Sequence, residues 1–153
     1  MSVFIFLHIA VMFLAIAVAQ GPLILLIAAV RRRDVPGIRG LLRAQFPLVR
    51  WIPAVFGVGV LLGLIAVFTN SFDPLRPWLL IGYVLTVIAA VLPRFSAGAW
   101  SRRLGMAATT SPDDAPSPEL AVVMDDPRAR AMLWLDFGVV VLLIADMVIK
   151  PLG

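Results

Sequence analysis

Four long apolar stretches constrain this chain more than any other feature. They cover residues 3–30, 51–69, 78–100 and 131–149, the third being apolar to Leu92 and read as helix through Trp100. Each has roughly the ~20-residue length that a helix needs to cross a bilayer. A helix of a soluble fold shows a polar face at helical spacing, whereas these segments are apolar all round. Of the 153 residues, 61% are hydrophobic, against about 45–50% in soluble domains. A chain this short cannot hide so much apolar surface in its own core, so lipid must cover the rest. The expectation is an all-α, single-domain, four-helix transmembrane bundle with up-down connections. Ala17-Val18-Ala19 has the form of a signal-peptide cleavage site, but no basic residue precedes the apolar run and the run continues to Val30. The first stretch is therefore read as a retained span.

Charge placement orients the bundle. Arg31, Arg32, Arg33, Arg39, Arg43 and Arg50 lie between the first and second spans. Arg94, Arg102, Arg103, Arg128 and Arg130 lie between the third and fourth. Only Arg76 and Lys150 fall on the other side, so eleven basic residues face two. The positive-inside rule puts the eleven in the cytoplasm and both termini outside. The expected location is a bacterial cytoplasmic (inner) membrane, crossed several times. Trp51, Trp78, Trp100 and Trp134 fall near span ends, where indole suits the headgroup layer. The arginines flank spans and face anionic headgroups. With no aromatic-interleaved basic stretch or binding motif, nucleic acid is not an expected partner. Lipid is, and so are other membrane proteins.

Residues 37–46, with Arg39 and Arg43 beside Leu41 and Leu42, read as a short interfacial helix. Residues 106–127 are rich in Pro, Ser and acid, and are expected to form a mobile cytoplasmic loop. Asp126-Pro127 reads as the capped start of the fourth helix.

Small residues let helices approach closely in lipid. Gly59 and Gly63 form such a motif in the second span, and packing within the chain is the favoured use. Gly82, Thr86 and Ala90 mark the third span.

The polar groups at membrane depth are His8, Gln20, Asp136 and Asp146. Such groups are costly, so each requires a role. His8 shares a helical stripe with Met12, Ala15 and Ala19. Two readings of it stay open. It can pair with Asp146, which lies at similar depth in the fourth span, and join two helices. It can also serve as an axial ligand to haem b or to copper, with Met12 or Met147 as a soft second donor. Asp136 is expected to pair with Arg50, Arg94 or Arg128. Gln20 is expected to hydrogen-bond across helices, and Lys150-Pro151 to anchor the span end. The absence of cysteine excludes disulfides and thiolate chemistry. No phosphate-binding glycine loop or nucleophile triad is present.

Phe6-Leu7-His8-Ile9, Gln20-Gly21-Pro22, the arginine-rich first loop and Ala145-Asp146-Met147-Val148-Ile149-Lys150-Pro151 together resemble a bacterial four-helix membrane family of unknown function. That family is itself similar to the copper-resistance D proteins and to the membrane-type protoporphyrinogen oxidase of the haem pathway. The resemblance implies a role in haem, porphyrin or copper handling centred on an early-helix histidine, here His8. The Trp-x-Gly pattern and the further histidines of the oxidase are absent. The leading expectation is therefore a non-catalytic accessory or scaffold protein of the membrane. A haem- or copper-handling redox protein that uses His8 is the alternative.

Overall fold

The computed structural model describes residues 2–150. Among these the chain forms seven helices and no strand: α1 (Val3–Arg31), α2 (Val35–Val49), α3 (Ile52–Thr69), α4 (Pro77–Phe95), α5 (Ala97–Thr110), α6 (Pro118–Met124) and α7 (Pro127–Ile149). Four are long and apolar enough to cross a membrane: α1, α3, α4 with its continuation in α5, and α7 preceded by α6. The protein is thus all-α, with four helices of membrane-spanning length.

Local chemistry starts these helices where the sequence allows. Ser2 Oγ accepts from Phe4 N at the head of α1. Asp34 caps α2 by accepting from Gly37 N at 2.9 Å. Asp126 caps α7 by accepting from Arg128 N at 2.9 Å and Ala129 N at 3.3 Å. Each cap satisfies amide donors that the first helical turn leaves without partners. A proline stands in the first turn of α2, α3, α4, α6 and α7, where its missing N–H costs nothing.

The spans associate in two antiparallel pairs. In the first, His8 lies against Gly63 and Met12 against Gly59, so α1 and α3 run in opposite directions. In the second, Asp146 and Met147 lie against Gly82 while Asp136 reaches Ser96, which sets α7 antiparallel to α4. A core at the arginine-rich end unites the pairs. It gathers Leu23 and Leu26 of α1, Val35 and Ile38 of α2, Trp100 and Leu104 of α5, Leu120 of α6 and Leu133 of α7. At the opposite end Val67, Trp78 and Leu79 form a smaller cluster with Phe72, Tyr83 and Met147.

Three expectations need correction. The third span does not run unbroken to Trp100. Pro93 cannot donate to the helix ladder, and Ser96 leaves helical geometry at φ −102°, ψ −100°. The chain restarts as α5, which packs against α2 and α6. Nor are residues 106–127 loose. α5 continues to Thr110, and α6 buries Leu120 and Met124. Trp100 Nε1 donates to Val123 O at 3.2 Å, and Ser111 and Ser117 hydroxyls lie 3.0 Å apart. Arg39 donates to Ala108 O at 2.7 Å, to Ser111 O and to Asp113. Arg33 pairs with Asp125 and Arg103 with Asp126, both at 2.8 Å. Asp113, Asp125 and Asp126, among the acids that suggested mobility, are partners for arginines, and Leu120, Val123 and Met124 carry a helical apolar face at i, i+3, i+4. The tryptophans also divide: Trp51 and Trp134 are exposed, whereas Trp78 and Trp100 are buried in the two clusters.

Candidate functional site

The polar groups within the spans are the candidates for chemistry, and α1 carries the first. His8 Nδ1 lies 2.7 Å from the backbone oxygen of Gly59. A carbonyl can only accept, so Nδ1 must carry the proton and donate it. In the neutral ring that leaves the Nε2 lone pair uncommitted. The contact exists because Gly59 and Gly63 have no side chains. A Cβ at Gly63 would lie 2.8 Å from both Nδ1 and Cε1 of His8, and one at Gly59 would lie 2.5 Å from Met12 Sδ. The Gly59/Gly63 motif thus works within the chain, seating two side chains of α1 on the backbone of α3.

His8 and Asp146 do not pair. Matched depth made the pair reasonable, but it required α1 and α7 to be neighbours at that level. The two glycines draw α1 onto α3 instead, and Asp146 faces α4 beside Gly82. Asp146 is 5% exposed, and neither carboxylate oxygen has a hydrogen-bond partner among the described residues. Met147 Cε covers the same glycine, so Met147 belongs to the α4–α7 contact and is not a companion of His8. Lys150 Nζ stands 5.4 Å above the Trp78 ring and 5.7 Å from that of Phe72, a cation–π arrangement. Pro151 lies outside the described residues.

Asp136 finds neither Arg50, Arg94 nor Arg128. Its Oδ2 accepts from Ser96 Oγ and, at 3.4 Å, from Ala97 N; Oδ1 is buried without a partner among the described residues. The break after Pro93 turns the Ser96 hydroxyl and the first amide of α5 toward α7, so a neutral donor pair takes the place of an arginine. Gln20 Oε1 is likewise buried without a partner among the described residues. Sequence reasoning missed Ser96 and the Gly59 carbonyl. Pro93, three residues before Ser96, was the available signal for the first. A backbone acceptor leaves no mark in the sequence.

His8 offers one imidazole nitrogen and Met12 one thioether, on successive turns of α1. A single imidazole is the type of donor that haem or Cu(I) would take, and Nδ1 is already held by a backbone carbonyl. Met12 Sδ is turned onto Gly59. Among the described residues, no three His, Cys, Asp or Glu side chains converge in the manner of a metal site.

No protein-family model, curated protein or solved structure matches this chain.

Proposed function

We propose that this is a non-catalytic accessory or scaffold protein of a bacterial cytoplasmic membrane. In this reading the four spans form an up-down bundle, with the arginine-rich end in the cytoplasm and both termini outside. One observation carries the functional part: the titratable groups in the spans are dispersed over separate helix contacts. His8 binds α3 through Gly59, Asp136 binds the α4–α5 junction, and Asp146 sits between α4 and α7. Catalysis needs such groups to converge on one reacting atom, and here each serves a different contact. The exposed faces of the spans, such as Val84, Val87 and Val91 of α4, meet lipid or neighbouring membrane proteins.

Photo-crosslinking in native membranes tests this reading. A crosslinker at Val87 should recover one membrane protein in amounts comparable with the chain itself. Recovery of lipid alone, from Val87 and from equivalent sites on the other spans, would refute the scaffold role.

A second reading has its own supporting observation. Donation of Nδ1–H to a backbone carbonyl is how ligating imidazoles are commonly oriented for metal binding through Nε2. Under this reading His8 holds haem b or copper, with Met12 as a second donor. Loss of a Soret band or of bound copper on His8→Ala would establish it.

A further inference from the structure

α2 carries a pattern that packing of the bundle does not explain. Arg39, Arg43 and Phe46 recur at i, i+4 and i+7, which places them on one stripe of the helix; Arg50, which caps α2, continues the stripe by about one turn. Between this stripe and α5 runs a groove of about 450 Å³, lined by Arg39, Leu42, Arg43, Phe46, Gly105 and Thr109. The two arginines differ in their commitments. Arg39 is occupied by Ala108 O, Ser111 O and the exposed carboxylate of Asp113. Arg43 is exposed and makes no hydrogen bond or ion pair among the described residues. Phe46 is 78% exposed, and Leu48, Val49 and Trp51 beyond it are exposed too.

We infer that this groove binds the headgroup phosphate of an acidic phospholipid, with Arg43 as the principal donor. A guanidinium presents paired N–H groups that match phosphate oxygens. Leu42 and Phe46 make one side of the groove apolar, which suits the glycerol and upper acyl chain of the same molecule. A free anion would leave the exposed Phe46 ring without a role, which favours the lipid. Charge selects the acidic headgroup: no carboxylate lines the groove, Arg39 is paired with Asp113, and the uncompensated charge is the cation on Arg43. The position of α2 agrees, since it joins the arginine-rich ends of α1 and α3, where the headgroup layer lies if both helices cross the bilayer. Thr109 Oγ1 donates to Met106 O at 2.7 Å and is therefore not a further phosphate donor.

Assignment to the cytoplasmic leaflet rests on the orientation proposed above; the groove does not. The test separates the two. Full-length protein in a neutral detergent is titrated with phosphatidylglycerol or phosphatidylcholine and followed by native mass spectrometry. Phosphatidylglycerol should bind more tightly. Arg43→Gln should weaken it about fivefold, the effect of one arginine at an anionic surface, with the melting temperature unchanged because Arg43 makes no hydrogen bond or ion pair among the described residues. Arg43→Lys should retain part of the affinity, Phe46→Ser should weaken both lipids, and Arg76→Gln at the opposite end should change nothing. Equal binding of the two lipids would overturn the site. So would wild-type affinity in Arg43→Gln, or an equal loss in Arg76→Gln. Membrane orientation plays no part in a micelle, so a reversed topology would leave these results intact and alter only the leaflet.

Discussion

Adding a methyl group at Gly63 should cost more stability than adding one at Gly59, although the two glycines belong to one motif. At Gly63 the new Cβ would stand 2.8 Å from the His8 ring, about 0.6 Å short of the 3.4 Å at which ordinary contact begins. The ring cannot yield freely, because Nδ1 is tied to Gly59 O at 2.7 Å. Relief requires α1 to move off α3 or the hydrogen bond to stretch to about 3.3 Å, toward the limit of useful geometry. Overpacking of this kind costs about 1–3 kcal/mol, and the interhelical bond at risk contributes about 0.6 kcal/mol or more. Replacing glycine by alanine inside a helix returns about 1 kcal/mol. The expected net loss for Gly63→Ala is about 1–2 kcal/mol. At Gly59 the obstacle is Met12 Sδ at 2.5 Å, the end of a flexible chain that can change rotamer. Gly59→Ala should therefore lie within about 1 kcal/mol of wild type. In a His8→Ala background the clash is gone, and Gly63→Ala should become neutral or stabilising, a coupling that a double-mutant cycle measures. Unfolding in mixed micelles with increasing SDS supplies the free energies. Equal losses at the two glycines, or additive losses of His8→Ala and Gly63→Ala, would refute this account of the α1–α3 contact.

Ser96→Ala should destabilise by about 1–3 kcal/mol, because it leaves Asp136 with only the long bond from Ala97 N; in an Asp136→Leu background the same change should cost much less, as unfolding in micelles will show. Arg39→Gln should free residues 111–117, since that side chain alone holds Ala108 O, Ser111 O and Asp113. A broad-specificity protease applied to inside-out vesicles should cut the variant there faster than wild type, and equal rates would deny the clamp. The chain has no cysteine, so single cysteines report topology without background. In intact cells an impermeant reagent should label Leu75→Cys and spare Asp114→Cys, and the reverse pattern would invert the bundle.

The four long apolar helices were legible because length and apolarity are properties of the chain itself, with little dependence on tertiary detail. Helix starts were legible for the same reason of locality: Asp126-Pro127 caps α7 within its own first turn. Partnerships between spans were not. The His8–Asp146 pairing failed because depth along a helix can be read from sequence, but the identity of the neighbour cannot. The glycines at 59 and 63 held that information, and only the contact itself shows that α1 occupies them. The 106–127 segment was misread for a different reason. Composition counts residues without regard to their partners, and arginines at 33, 39 and 103, distant in sequence from their partners or in another helix, turn its acids and carbonyls into anchors. The groove beside Arg43 depends on α2 lying against α5, a contact that no local pattern announces.

His8 and Asp136 bond across helices, Asp146 sits at a separate contact, and no two of the three converge on one site; His8 offers the sharpest test of whether any of them is a reaction centre. The protein is purified from cells supplied with haem precursor and, separately, with copper, and its visible absorbance and metal content are measured for wild type and His8→Ala. Wild type should show no Soret band and copper well below one ion per chain. His8→Ala should unfold at lower SDS without any spectral change. A wild-type Soret band, or one copper per chain, that disappears in His8→Ala would contradict that expectation and make Nε2 a ligand.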